Sequence, residues 1–293
     1  MSWSNTHTHS EFCDGKYPLE NYATQATHLG MISLGFSSHA PLPFPCKWCM
    51  SSESVVDYLS TIQQLKYRFQ GKIELYSGLE VDYIPDHMSP THDQIQQMQL
   101  DYTIGSIHFL DFFHSGEPWE VDGSFSTFQK GLDEIFGGNI KQVVNKYYSL
   151  TREMIENHPP KVLGHMDKIK IHNRHAQIFD EQDPWYRREI ASVLQSVKKS
   201  GVILEVNTRG IYTKKSPDLY PSTWILEQAH NKGIPITLNS DAHHPKDLIR
   251  LFPETSRRLL EIGFTNTKIL KGGDWIDHPL TSGPCLTQFQ QRP

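Results

Sequence analysis

The sequence predicts an α/β protein whose parallel strands close into a single barrel, and three observations carry that reading. Short β-branched or aliphatic runs alternate with stretches of helical period along the chain, the pattern of strands joined by crossover helices. The motifs His7-Thr8-His9 and Asp241-Ala242-His243 stand near opposite ends of the sequence. A strand repeats every two residues, so each motif throws both its polar side chains to one face. The two pairs converge only if the sheet closes on itself. Finally, nearly every expected strand ends in a His, Asp or Glu, as on the rim where barrel loops build active sites.

The elements follow in order. A first strand ends at His7–His9. The second covers Ile32–Ser38 and leads to His39, and the third covers Ile73–Leu79 and leads to Glu80. A fourth over Tyr102–Ile107 leads to His108, and a fifth over Lys161–Gly164 leads to His165. The sixth, Val202–Asn207, feeds a loop carrying Arg209, and the seventh, Ile234–Asn239, reaches Asp241. Helices are expected where apolar residues recur at helical spacing. One stripe is Val55, Leu59, Ile62, Leu65 and Phe69. Another is Ile140, Val143, Val144, Tyr147, Thr151 and Met154, and a third is Ile190, Val193, Leu194 and Val197. Glycines 30, 71, 201 and 233 stand just before strands and read as helix stops. The barrel is expected to occupy residues 1–280. Residues 281–293 carry Gly, Pro and Gln without periodicity and read as a flexible tail.

Composition narrows the function. The 293 residues are 37% hydrophobic and 21% charged, enough for one sizeable core. The net charge is −5 and no basic tract occurs, which argues against a nucleic-acid polymer as partner. No apolar run approaches the roughly 18–20 residues that span a bilayer, so no membrane partner is expected. The first residues lack the basic and apolar regions of a secretory signal, and a cytoplasmic location is expected. Cys46-Lys47-Trp48-Cys49 has no second cysteine pair at zinc-ribbon spacing and reads as a loop with two reduced thiols.

The outlier is the sixteen histidines. His28, His158 and His230 lie in helical stretches and read as surface residues. His87, His92, His114, His172, His175 and His278 lack a strand-end setting. Six histidines at or just past expected strand ends, His7, His9, His39, His108, His165 and His243, join Asp14, Glu80 and Asp241 in a set of nine. Burying that many titratable groups without a counter-ion would be costly. The donors are nitrogen and oxygen only, which suits Zn²⁺, Mn²⁺ or Fe²⁺. Nine donors exceed one ion and fit three, with Glu80 on a middle strand as the bridge.

Charge then selects the ligand. Three divalent ions, three carboxylates and one hydroxide leave about +2, a local field that attracts a phosphate dianion despite the chain's overall charge. Such ions lower the pKa of a bound water to about 7 and so provide a bridging hydroxide nucleophile. Asp241, His243 and Arg209 are the expected catalytic residues. Arg209 and Lys168 lie just past strand ends and are expected to bind phosphate. The substrate class is a small phosphate monoester.

These residues resemble the polymerase and histidinol phosphatase superfamily of metal-dependent phosphoesterases. The resemblance runs through Thr6-His7-Thr8-His9-Ser10, Asp14-Gly15, His39, Gly78-Leu79-Glu80-Val81-Asp82, Gly105-Ser106-Ile107-His108, Gly164-His165 and Asn239-Ser240-Asp241-Ala242-His243. It covers residue 3 to about residue 275. Within the superfamily the chain is most similar to the histidinol-phosphate phosphatases, through Ser38-His39-Ala40-Pro41, Gly78–Tyr83 and Glu205–Gly210. The resemblance implies a distorted (β/α)7 TIM-like barrel, hydrolysis of L-histidinol phosphate in histidine biosynthesis, and three divalent ions. It implies that His7, His9, Glu80 and Asp241 hold one ion, Glu80, His108 and His165 a second, and Asp14, His39 and His243 a third. Many members carry His where Asp14 stands, and an oxygen there favours a harder ion.

Histidinol phosphate carries an amine and an imidazole, so its pocket should offer carboxylates. The loop Asp111–Gly123, with Phe112, Phe113, Glu117, Trp119, Glu120 and Asp122, is expected to cover the site and meet the amine. Three other readings stand beside this one. A nucleotide phosphatase or exonuclease of the same superfamily would want base-stacking aromatics and, for a polymer, a basic groove. An amidohydrolase also begins with H-x-H but uses a mid-barrel lysine, where this chain has Glu80. A regulatory module would bind metal without turnover.

Overall fold

A computed structural model describes residues 3–175 and 177–281. The strands are β1 (Ser4–Asn5), β2 (Ser33–Phe36), β3 (Glu74–Asp82), β4 (Tyr102–Ser106), β5 (Phe109–Phe112), β6 (Pro118–Glu120), β7 (Val162–Leu163), β8 (Ile203–Asn207), β9 (Ile236–Asn239), β10 (Asn266–Lys271) and β11 (Asp274–Pro279). The helices are α1 (Leu19–His28), α2 (Val55–Arg68), α3 (Asp93–Gln97), α4 (Phe125–Phe136), α5 (Ile140–Asn157), α6 (Pro184–Ser200), α7 (Arg209–Tyr212), α8 (Thr223–Asn231) and α9 (Phe252–Ile262).

Seven parallel strands run in the order β1-β2-β3-β4-β7-β8-β9. All seven expected strands are present in sequence order. The closure is a parallel bridge between Thr8 and Ala242, just beyond β1 and β9. The result is a nearly closed, distorted TIM-like barrel. The crossovers carry helices whose apolar stripes face the sheet. Ile62 and Leu65 of α2 are buried, as are Val143, Val144, Tyr147, Thr151 and Met154 of α5 and Ile190, Val193, Leu194 and Val197 of α6. They pack on the outward residues of the strands, such as Leu79 and Val81 of β3 and Leu204 and Val206 of β8.

Alternation sends the intervening residues to the barrel interior. Tyr76, Tyr102, Ile104, Val162 and Ile203 form a small apolar cluster there. Tyr102 crosses the interior and donates its hydroxyl to the Thr6 carbonyl at 2.6 Å and the Phe36 carbonyl at 3.1 Å. A Cβ at Gly78 would lie 2.5 Å from the Tyr102 ring and one at Gly35 2.3 Å from its hydroxyl. Those two positions must therefore be glycine for the ring to support the first strand.

Two hairpins were not expected from the sequence. β5–β6 replaces the plain loop after His108, and β10–β11 crosses the end where the barrel strands begin. There Gly272 donates its N–H to Glu74 at 2.7 Å. The cysteine reading is corrected as well: Cys46 and Cys49 form a disulfide rather than two thiols, because the loop folds back to a Cα separation of 5.4 Å, within bridging range. Of the expected tail, residues 282–293 lie outside the described residues.

Candidate metal centre

The closing bridge assembles the site. His9 donates its backbone N–H to the Ala242 carbonyl at 2.8 Å, and Ala242 donates to the His7 carbonyl at 3.1 Å. Thr8 and Ala242 face each other, so the two x-positions are paired and their flanking residues meet on the inner face. His9 Nε2 lies 3.2 Å from Asp241 Oδ1, and the His9 and His243 rings lie 4.0 Å apart. Asp241 has a φ of +51°, a left-handed conformation that Asp tolerates better than most residues.

Glu80 stands at the centre, buried on β3 and bridged to His39 across the β2 extension. Its two oxygens divide the neighbours. Oε1 accepts from Ser106 Oγ at 2.6 Å and lies 2.9 Å from His165 Nε2 and 3.8 Å from His108 Nε2. Oε2 lies 3.2 Å from His7 Nε2, 3.4 Å from His9 Nε2 and 3.2 Å from His39 Nδ1. This is the arrangement of a carboxylate placed between two centres. Asp14, on the loop after β1, closes the far side, 3.1 Å from His243 Nε2 and 3.8 Å from His39 Nε2. All nine predicted ligands thus converge on one rim.

Two further buried carboxylates, Glu205 and Asp82, support the cluster from behind. Glu205 Oε1 accepts from His7 Nδ1 at 2.6 Å, and Oε2 from the His165 N–H at 2.8 Å. Asp82 Oδ1 accepts from the His108 N–H at 2.9 Å and lies 3.0 Å from its Nδ1. Each carboxylate fixes an imidazole so that its other nitrogen faces the cluster. The period of two held the signal: Asp82 shares a strand face with Glu80, as Glu205 does with Asn207.

Burial and charge set the protonation of the site. Burial opposes the charged form of His7, but Glu205, Asp241 and Glu80 outweigh it and hold His7 well above its ordinary value. Burial likewise opposes the charged form of His108, yet Asp82 and Asp122 push it up to about 9. His39 and His9 go the other way. Burial pulls them down to about 3 and about 4. Burial would raise Glu80 and Asp241, but neighbouring cations win, and both are held well below the usual carboxylate range.

The cluster floors an open cavity of about 200 Å³. One wall is cationic, with Arg209, Lys168 and Lys215. Arg209 Nη1 donates to the Asp241 carbonyl at 2.9 Å and to His243 Nδ1 at 2.7 Å. Lys168 pairs with Asp122 at 3.1 Å. Lys215 is lowered from its ordinary value by burial, then by Lys168 and Arg209. Lys215 was not among the expected site residues, although it follows Arg209 by six residues, in the turn after α7 past the same strand end. Trp48 and Glu120 also line the cavity. Glu117, expected beside Glu120, is exposed in the turn between β5 and β6 and is not among the lining residues, because the hairpin points its tip to solvent. Trp119, expected in a covering loop, is instead fully buried in the core against Phe128 and Phe136.

The residues fit divalent ions. His9 Nε2, His39 Nδ1 and Asp241 Oδ1 are buried without a hydrogen-bond partner, a state that is costly unless an ion satisfies them. Donor atoms lie within 4.8 Å of one another in four groups: His9, Asp14, His39 and His243; His7, His9 and Asp241; His7, Glu80 and His165; and His39, Glu80 and His108. Ligands 2.0–2.2 Å from an ion are at most about 4.4 Å apart, so small movements suffice. The first group contains the expected Asp14, His39 and His243 with His9 added, and the second holds His7, His9 and Asp241 without the expected Glu80. The expected set of Glu80, His108 and His165 is split here between His7 and His39.

A cluster of nitrogen and oxygen donors on the C-terminal rim of a seven-stranded α/β barrel defines the class to which this molecule answers. Residues 5–209 match the PHP domain, and the chain belongs to that family. It is similar to the Bacillus subtilis histidinol-phosphatase, 29% identical over 268 residues covering 85% of this chain and 96% of that one. It is also similar to a probable histidinol-phosphatase of Deinococcus radiodurans, 27% identical over 88% of this chain and 93% of that one. Among solved structures it resembles the histidinol phosphate phosphatase of Lactococcus lactis complexed with zinc, L-histidinol and phosphate. That match has a TM-score of 0.72 and 21% identity, and covers 94% of this chain and 99% of that one.

Proposed function

We propose that this chain is a metal-dependent histidinol-phosphatase, a phosphoric monoester hydrolase that converts L-histidinol phosphate to L-histidinol and phosphate in histidine biosynthesis, in the cytoplasm. The observation that carries the reading is the convergence of nine N/O donors around Glu80 beside a cationic wall, in a chain of the PHP family. The named histidinol-phosphatases to which the chain is similar along most of its length support the substrate.

His7, His9, Asp14, His39, Glu80, His108, His165, Asp241 and His243 would hold up to three divalent ions, zinc, manganese or iron. Bound there, the ions would activate a water and offset charge on the phosphoryl oxygens. The rest of the work falls to side chains. Glu205 and Asp82 orient His7 and His108. Arg209 holds the Asp241–His243 segment with one guanidinium arm, and its remaining donors meet a phosphoryl oxygen. Lys168 and Lys215 add positive charge on the same side of the cavity, so the phosphate is drawn to that wall. The leaving group then extends toward Trp48 and Glu120.

The test is phosphate release from L-histidinol phosphate against adenosine monophosphate, with metal content measured on the same sample. Faster turnover of histidinol phosphate is expected. Preference for the nucleotide, or bound metal without turnover, would overturn the proposal.

A further inference from the structure

The cavity contains one carboxylate with no evident duty. Asp14, Glu80 and Asp241 belong to the donor groups, and Asp122 pairs with Lys168. Glu120 lines the same space and, among the described residues, has neither a cationic side-chain partner nor a place in a donor group. It is not free to turn, however. Trp48 donates its indole N–H to Glu120 Oε1 at 3.0 Å. The indole is itself fixed, stacked on Phe109 at 5.5 Å with planes 9° apart and set edge-on to His39 at 4.5 Å. The Cys46–Cys49 disulfide closes the short loop that carries it. Gly123 leaves room beside the other oxygen, since a Cβ there would lie 3.1 Å from Oε2.

We infer that Trp48 is a positioning residue for specificity: by holding Oε1 of Glu120 it turns Oε2 toward the cavity as the acceptor for the ammonium group of an amino-alcohol phosphate. This rests on the functional reading above, and it deepens that reading by naming what selects the leaving group. The chemistry follows from charge. A phosphate drawn to the cationic wall leaves the other end of a short substrate near Glu120, where a lone carboxylate favours a cation and an aromatic face accepts a flat ring. A phosphomonoester without a cation gains nothing from Glu120.

The experiment compares kcat/KM for L-histidinol phosphate with that for phenyl phosphate, which has a ring and no cation. Trp48→Phe keeps the stacking and removes the N–H. The ratio of the two values is expected to fall about tenfold, the usual scale for a charge-assisted hydrogen bond. Glu120→Gln should lower it by a similar factor, and the double variant should lower it little further, because both changes remove one interaction. A parallel loss on both substrates would mean that Trp48 only supports the fold, and an unchanged ratio would mean that Glu120 meets no cation; either overturns the inference. If Trp48→Phe loses metal or melts early, Glu120→Gln decides alone by the same ratio. Wild-type protein that fails on histidinol phosphate overturns the functional reading together with this one. Wild-type turnover with an unchanged ratio in the variants overturns this inference alone.

Discussion

Glu205 accepts a hydrogen bond from His7 Nδ1 at 2.6 Å while receiving the backbone N–H of His165 at 2.8 Å. One buried carboxylate on β8 therefore fixes two histidines of the cluster without facing it. It is held in turn by Asn239 Nδ2 at 3.0 Å and Asn207 Nδ2 at 3.1 Å. Glu205→Gln puts an amide where four donors converge, so at least one donor loses its acceptor. Metal affinity should fall by about 10–100-fold, the usual cost of losing such a support. Competitive chelator titration checks this, and wild-type affinity would refute the orienting role.

Asp241→Asn separates charge from backbone. The left-handed φ of +51° suits Asn as well as Asp, so the substitution should leave the fold intact. It removes a carboxylate charge beside His7 and His9. Loss of a direct donor should exceed the roughly 10–100-fold cost of losing a support, and metal stoichiometry should drop with kcat. Elemental analysis beside steady-state kinetics measures both, and full activity would remove Asp241 from the donor set.

Arg209→Ala tests the cationic wall. The guanidinium contacts the Asp241 carbonyl, His243 Nδ1 and, at 3.9 Å, Asp241 Oδ2, and none of Glu80, His108 or His165. KM should therefore rise by about tenfold or more, in line with loss of a charge-assisted contact, while metal bound near Glu80 stays. Unchanged kinetics would take Arg209 out of the site.

The sequence made the convergence legible because its signal is periodic. H-x-H and D-x-H need only the two-residue strand repeat and a closed sheet to meet, and the Thr8–Ala242 bridge is that closure. Glu80 was readable for the same reason, although β3 continues past it to Asp82. What escaped was set by tertiary approach. Trp48 reaches the cavity because an irregular loop folds over His39, and Lys215 because the turn after α7 brings it back beside Arg209; neither has a period. The β5–β6 hairpin was hidden because its strands are three and four residues long with mixed burial. Its tip carries Glu117 outward while its second strand carries Glu120 inward, a division that an acidic composition cannot express.

Proton release on metal loading gives a test that needs no substrate. In the metal-free protein His108 is pushed up to about 9 and His7 well above its ordinary 6.5, whereas His39 and His9 sit at about 3 and about 4. At pH 7 the first two therefore carry protons and the second two do not. Metal binds neutral imidazole, so loading at pH 7 should release about two protons, and affinity should rise steeply with pH until His108 is itself deprotonated. The metal-free fold shows the opposite trend. A histidine raised on folding contributes stability that is complete below its unfolded pKa of about 6.5 and lost as pH climbs through the folded value. The metal-free protein should thus lose thermal stability between about pH 6.5 and 9, while the loaded protein does not. Calorimetric titration in buffers of different ionisation heat counts the protons, and a pH series of melting temperatures with and without chelator measures the stability. Zero release at pH 7, or a metal-free protein that gains stability over that range, would contradict the charge balance assigned to His7 and His108.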